Sequence, residues 1–276
     1  MLSPYEVRIV KYLNELASHG IRSYATGCLI EDCDITLWYI DRMGIVTSAS
    51  FNFITEPHYL VYFIASVTLA SMKQLGFLSL MKFPDRHTPR AILETYDDVS
   101  FSLPQARDVD GNPQEGLQFD LSVEEGRYIF NSHKAVGRST IIVPLKANPA
   151  AVQVCQDVKE QLVGKISWQS ISTVGEDSAI RIVRRKLAAS SSMKHFLDNI
   201  VDMKCSATYN MAEMGLPRVA FGLNDPTDER VCRVLVLREY LPLQKVGSPT
   251  EFRTVFIDVV QGPCFVSSCS LVADPS

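Results

Sequence analysis

The chain has 276 residues, 27 Lys and Arg against 31 Asp and Glu, a formal charge of −4, and 46% hydrophobic and 21% charged residues. That balance excludes a disordered chain, a collagen-like chain and a polybasic nucleic-acid arm, and a sequence pI near 5.8 gives no general attraction to phosphate backbones or acidic lipid. The length suffices for one large domain or two smaller ones, each with a buried core.

The first elements alternate between helical and strand periods. Val7, Val10, Leu13 and Leu16 recur at helical steps and predict an amphipathic helix over Tyr5 to Leu16, ended by His19-Gly20. Ser23 to Ile30 and Ile35 to Ile40 read as strands joined by the acidic turn Glu31-Asp32-Cys33-Asp34. Asp41-Arg42-Met43-Gly44 turns into a third strand, Ile45 to Ser48. Pro57 opens the next helix and Gly76 closes it. Between Glu56 and Lys73 lie sixteen residues without a charge, too few for a membrane span and read as a buried helix. From Pro84 to Gly126 prolines and glycines interrupt any longer element, Asp110-Gly111-Asn112-Pro113 being the strongest turn signal, and the stretch reads as a boundary. Beyond it, Arg127 to Ser132, Thr140 to Leu145 and Leu162 to Trp168 read as strands, Gly175 to Ala189 as a helix, Phe196 to Val201 as a short helix, and Val231 to Leu237 as the clearest strand. Ser248-Pro249-Thr250-Glu251 resembles a capping box opening a helix from Phe252 to Val260.

Seven cysteines, Cys28, Cys33, Cys155, Cys205, Cys232, Cys264 and Cys269, are odd in number and scattered. They form a poor disulfide framework and read as small buried hydrophobes in a reducing compartment. The pairs 28/33 and 264/269 lack the spacing and histidine neighbours of a zinc site, so no metal is expected there. The opening MLSPYEVRIVK lacks an apolar signal core. The expectation is an intracellular protein, cytoplasmic or nuclear.

The second half presents strand, Gly-containing turn, strand, Lys-bearing strand, Glu-bearing helix, and an apolar strand into a hinge. This is the order of a kinase N-lobe, in which a backbone turn covers nucleotide phosphates, a Lys supplies positive charge and a helix carboxylate fixes that Lys. The turn is Val136-Gly137-Arg138-Ser139-Thr140, the Lys is Lys165 and the carboxylate Glu176. Each is a weak signal alone: a strand Lys is commonly a solvated edge residue, and a first-turn Glu is favoured by the helix dipole.

Three longer stretches carry more: Leu37-Trp38-Tyr39-Ile40-Asp41-Arg42-Met43-Gly44-Ile45-Val46-Thr47-Ser48, Gly137-Arg138-Ser139-Thr140, and Gly164-Lys165-Ile166-Ser167-Trp168. Glu176, Leu216-Pro217-Arg218-Val219 and Arg233-Val234-Leu235-Val236 follow in the same order. With these, the sequence resembles the fungal-type protein kinase family over roughly residues 5 to 260. The resemblance implies an α+β chain: a helix–meander–helix domain over residues 1–83, a linker over 84–116, and over 117–276 a kinase-like N-lobe with a five-stranded antiparallel sheet and a helix. It implies an ATP site in which Gly137, Arg138, Ser139 and Thr140 form the phosphate turn, Lys165 contacts phosphate, Glu176 fixes Lys165, and Arg238 to Leu241, with Glu239 and Leu241, contact adenine. Ser139 stands where family members usually carry a second Gly. No His-Arg-Asp or Asp-Phe-Gly occurs in the sequence, so a general base and the metal ligands are missing. The expectation is an N-terminal part of a protein kinase fold, inactive by itself, with weak or lost ATP binding, no magnesium and no catalytic residues, read as a truncated gene product.

Rival readings are thinner. Helix, three strands, helix also suits one nuclease superfamily, but Asp41-Arg42-Met43 supplies no Lys and Asp32 and Asp34 read as turn residues. No G-x-S-x-G occurs. The basic run Arg181 to Lys186 reads as a solvated helix face, and no nucleic acid or membrane partner is expected. The alternative from another class is a non-catalytic protein-interaction module, its protein partner unknown, with self-association through a C-terminal seam of Phe252, Val255, Phe256, Val259 and Val260.

Overall fold

The computed structural model describes residues 2–18, 21–84, 96–124, 127, 129–132, 134–155, 157, 160–223, 229–240, 247–250 and 253. It is α+β, with two antiparallel sheets and few helices.

Helix α1 (Pro4–Ser18) starts from a reciprocal cap. Ser3 Oγ accepts from the Glu6 N–H at 3.2 Å, and Glu6 Oε2 accepts from the Ser3 N–H at 2.6 Å. Its buried stripe runs through Leu13 and Ala17, with Ile9 and Val10 partly covered, whereas Val7 and Leu16 stay exposed. The three-residue steps read from the sequence therefore locate the helix but not its inner face, which follows the 3–4 alternation of a 3.6-residue period.

Strands β1 (Tyr24–Glu31), β2 (Asp34–Asp41), β3 (Gly44–Thr47) and β4 (Phe51–Asn52) form the smaller sheet, in the order β1-β2-β3 with β4 also on β2. The β1–β2 turn is two residues long and places Asp32 at φ +54°, a conformation that Asp tolerates. One face of this sheet carries Ala25, Trp38 and Ile40 against α1. Opposite lies α2 (Pro57–Thr68), which ends earlier than Gly76 and has no buried residue. The buried-helix reading of this segment is thus corrected: α2 stands off the sheet, with a groove between them.

The stretch expected to be a linker, 84–116, instead holds β6 (Ser100–Asp108) and the start of β7 (Pro113–Leu121), joined by the Asp110-Gly111-Asn112 turn. Gly111 there adopts φ +97°. Alternation explains why these strands are buried despite interrupting prolines: Phe101, Leu103, Leu117 and Phe119 are 0% exposed. After β5 (Met81–Lys82), β6 and β7 come β8 (Phe130–Asn131), β9 (Thr140–Ala147), β10 (Gln161–Ser170), α3 (Glu176–Ala189), β11 (Met203–Tyr209), α4 (Pro217–Ala220) and β12 (Arg230–Arg238). Short 3-10 turns lie at Pro149–Ala151 and Lys194–Asn199, the latter where a short helix was expected. Within the expected strand 127–132 the described residues show a strand only at Phe130–Asn131, β11 was not anticipated, and the expected helix 252–260 lies, apart from Arg253, outside the described residues.

Among the described residues the larger sheet has eight strands rather than five. β10 pairs with β12, then β11, β6, β7 and β9 follow, and β9 pairs again with β10, so six strands close on themselves. Ile141, Val143, Leu145, Leu162, Ile166, Trp168, Cys232, Val234 and Val236 fill the interior. Gly164 faces the same space: a Cβ there would lie 2.8 Å from Val143 and 2.9 Å from Leu145. With alternate residues of β10 inward, Val163, Lys165, Ser167 and Gln169 face outward toward α3, whose Ile180 packs with Met203 and Leu235.

Candidate functional site

Lys165 sits mid-strand, paired with Ile142 of β9 and Leu235 of β12. Glu176 opens α3, where the helix N-terminus favours a carboxylate. The Lys165 Nζ donates to Glu176 Oε1 at 2.9 Å and Oε2 at 2.7 Å, and the side chains are 27% and 38% exposed. The loop leading into α3 is held by Arg233, which donates to Gln169 Oε1 at 2.7 Å and to the Thr173 carbonyl at 2.6 Å.

A second polar group, which the sequence reading missed, braces α3 from behind. Arg181 donates to Asp177 Oδ2 at 2.6 Å, to Ser206 Oγ at 2.8 Å and to the Asp108 carbonyl at 2.8 Å. Ser206 Oγ also donates to Asp177 Oδ2 at 3.0 Å. Burial opposes ionisation of Asp177, but the bonds from Arg181 and Ser206 outweigh it and hold the carboxyl below its ordinary value. The i,i+4 spacing of Asp177 and Arg181 was the available signal; their partners on β6 and β11 were not visible.

The four turn residues fall into two groups. Gly137 adopts φ +87°, and Arg138 is exposed at its tip. Ser139 is 0% exposed, with Oγ 3.3 Å from Ser132 Oγ, and Thr140 donates its N–H to Ser132 Oγ at 2.9 Å. Ser139 therefore points under the hairpin, where a Gly would leave a void. Glu239 follows β12 and is engaged within the protein: its N–H donates to the Gln161 carbonyl at 2.8 Å, and its carboxylate lies 2.6 Å from the Arg127 guanidinium. Buried Arg127 also donates to the carbonyls of Ser122, Leu145 and Leu162. Leu241 lies outside the described residues.

The longest of the sequence stretches does not reach this face. Asp41 and Arg42 are each 1% exposed. Arg218 grips Asp41 bidentately, Nε to Oδ2 at 2.7 Å and Nη2 to Oδ1 at 2.8 Å, while the Tyr39 hydroxyl donates to Oδ2 at 2.8 Å. Desolvation and the neighbouring Asp41 charge push the Tyr39 hydroxyl far above its ordinary value, leaving it a hydrogen-bond donor only. Met43 and Gly44 N–H groups complete the Asp41 shell. Arg42 turns the other way, donating to the carbonyls of Lys134 and Ala135 at 3.0 Å and of Arg22 at 2.6 Å. Thus Asp41-Arg42-Met43-Gly44, Gly137-Arg138-Ser139-Thr140 and Leu216-Pro217-Arg218-Val219, far apart in sequence, meet at one junction.

A family profile described as fungal protein kinase matches residues 6–195, more than half of the chain; the match takes in Asp41, Arg42, the Gly137 turn and the Lys165–Glu176 pair, and stops short of Arg218. The chain belongs to the fungal protein kinase family. Searches of curated proteins and of solved structures returned no match. In protein kinases generally, a strand Lys paired with a helix Glu positions nucleotide phosphate. ATP and magnesium use goes with the family in general. Among the described residues no group of three or more His, Cys, Asp or Glu side chains could hold a metal ion. Of the cysteines, Cys155, Cys205 and Cys232 are buried, Cys28 is half-buried and Cys33 exposed; burial pushes the Cys155 thiol up to about 11 and that of Cys232 up to about 12. No helix of the described residues is long and apolar enough to cross a membrane.

Proposed function

We propose that this chain is the nucleotide-side part of a protein kinase fold, a kinase N-lobe joined to a small α+β domain, and that it binds ATP weakly without transferring phosphate by itself. The Lys165–Glu176 pair carries the reading. It lies on the outward face of β10, partly open to solvent, where an anionic phosphate can take over part of the lysine's coordination. Further support comes from element order: β8, the Gly137 turn, β9, the Lys-bearing β10, the Glu-bearing α3, β11, and β12 running into Glu239. Thr140, Ile142 and Val163 share the Lys165 face and offer a base partly apolar cover. Glu239 would meet adenine through its carbonyl, since its N–H and carboxylate are bonded elsewhere.

Absent chemistry follows from the sequence. With neither His-Arg-Asp nor Asp-Phe-Gly, the chain supplies no recognised group to accept the substrate proton and none to hold magnesium; the base alone is worth about 10²–10⁴-fold. The test incubates purified protein with radiolabelled ATP, magnesium and a generic protein substrate beside Lys165→Met, and titrates ATP into both. The expected result is no label transfer, and weak ATP binding that Lys165→Met abolishes. Transfer lost in Lys165→Met would overturn the inactivity.

A second reading, a non-catalytic module that binds another protein, is favoured by α2. The groove beside it measures about 780 Å³, and none of its lining residues is Asp, Glu, Lys or Arg. Tyr59, Val61, Tyr62, Ile64 and Val67 are exposed on the helix itself, more apolar surface than the groove alone accounts for. The matching partner is an uncharged apolar segment of another protein. Val67→Glu, on the groove wall, should then lower the capture of uncharged apolar peptides from a peptide array without altering ATP binding; unchanged capture would remove this reading.

A further inference from the structure

The turn that should close over phosphates is held from the other side. Ala135 is 1% exposed and belongs to the core of the N-terminal unit, packed with Leu13, Ala17, Ala25, Trp38 and Ile40. Its N–H donates to Asn14 Oδ1 on α1 at 2.9 Å. Its carbonyl and that of Lys134 accept from the Arg42 guanidinium, both at 3.0 Å. The Gly137 N–H donates to the Arg42 carbonyl at 2.8 Å, the Ser139 N–H to the Gly137 carbonyl at 2.9 Å, and the Thr140 N–H to Ser132 Oγ. A turn binds phosphate when successive N–H groups converge on the anion. Here the N–H groups of residues 135, 137, 139 and 140 already have acceptors inside the protein, two of them supplied by the N-terminal unit.

We propose that the N-terminal unit is a lock on the nucleotide site: Asn14 and Arg42 hold the β8–β9 turn against α1 and β2, so that the unit and the nucleotide phosphates compete for the same N–H groups. The proposal rests on the reading of the Lys165 face as a nucleotide site. It gives a physical reason for the weak binding proposed above. When only the released fraction of the molecules can bind, the apparent dissociation constant rises by the inverse of that fraction. A ligand or partner that loosens α1 from the turn would raise nucleotide affinity without touching Lys165.

Two variants of the full chain test this, Asn14→Ala, which removes one acceptor at a partly exposed site, and Arg42→Lys, which keeps the charge but loses the fork. Each is compared with the parent and with Lys165→Met by ATP–magnesium titration and by hydrogen exchange of residues 134–140. The expected result is exchange at Ala135 and Gly137 faster by about tenfold or more, with ATP binding tightened by about fivefold to tenfold. A gain isolates the lock, because damage to the fold lowers affinity. Faster exchange with unchanged or weaker ATP binding overturns the competition, as does exchange no faster than in the parent. Should the parent bind ATP in a Lys165-dependent way while Asn14→Ala brings no gain, the lock fails and the nucleotide site stands. Should no protein in the set bind ATP while the turn exchanges faster, the nucleotide site itself fails and the lock with it.

Discussion

Two ion pairs divide the molecule by purpose. Asp41–Arg218 is enclosed, with 0% and 10% side-chain exposure, and both carboxylate oxygens are crowded by Arg218, Tyr39 and the Met43 and Gly44 N–H groups. Lys165–Glu176 has similar bond lengths but stands 27% and 38% exposed. Bond length does not distinguish them; access does. The first pair has no coordination left for a ligand and can only hold the small sheet, the hairpin turn and α4 in register. The second is reached by water, which is what its proposed exchange of a carboxylate for a phosphate requires. The most distinctive sequence stretch therefore marks architecture, and the plainer Gly-Lys-Ile-Ser-Trp marks the candidate site.

The sharpest way to break this division is to remove one half of the enclosed pair. Asp41→Asn leaves the Arg218 guanidinium buried without its counter-charge and weakens the bond from Tyr39. Breaking a buried pair by removing one partner costs about 3–5 kcal/mol. Urea denaturation of the Asp41→Asn protein should show a loss of that size, a large share of the total for a domain. A loss below about 1 kcal/mol, the level of exposed pairs, would erase the contrast.

The brace behind α3 falls between the extremes and adds a pH signature. Because hydrogen bonds depress the folded carboxyl of Asp177 below its ordinary value near 3.8, its contribution is present above that value and is lost as the pH falls through the lower folded one. Asp177→Asn should cost roughly 1–2 kcal/mol at neutral pH, and its stability should fall less steeply than the parent's between about pH 5 and pH 2. Urea midpoints across that range measure the difference; parallel acid limbs would show that Asp177 is not held as described.

Sequence reasoning saw the local elements better than their partners. Helix α3 and strands β9, β10 and β12 were legible because each rests on spacing within a short stretch, and the approach of Glu176 to Lys165 was expected from the kinase-like element order and the family resemblance. The burial of Ala135 in the α1 cluster was not, since nothing local distinguishes that alanine from a surface one. β6 and β7 were hidden by Pro104 and Pro113, which mimic a linker although inward residues such as Phe101 and Phe119 alternate as strand residues do. β11, Met203-Lys204-Cys205-Ser206-Ala207-Thr208-Tyr209, alternates cysteine and alanine with polar residues, a pattern too weakly apolar to announce a strand whose worth comes from β6 and β12 on either side. Glu239 was read as a hinge residue after the apolar strand; its engagement with Arg127 was not visible, because it depends on a residue 112 positions away.

The smallest stability effect is expected at the pair proposed to hold the ligand. Lys165→Met and Glu176→Gln each dissolve an ion pair that is a quarter to more than a third exposed, where solvent screens the attraction and the median contribution is about 0–1 kcal/mol. Urea midpoints of both variants should stay within that margin of the parent. ATP titration should separate them: Lys165→Met removes the charge that faces phosphate and abolishes measurable binding, while Glu176→Gln keeps the charge but loosens its position and weakens binding by about tenfold. A double substitution no worse for binding than Lys165→Met alone would show that Glu176 acts through Lys165 and not on the ligand. If either single variant lost as much stability as Asp41→Asn, the exposed pair would be a structural strut like the enclosed one, and the Lys165 face would lose its claim to be the site.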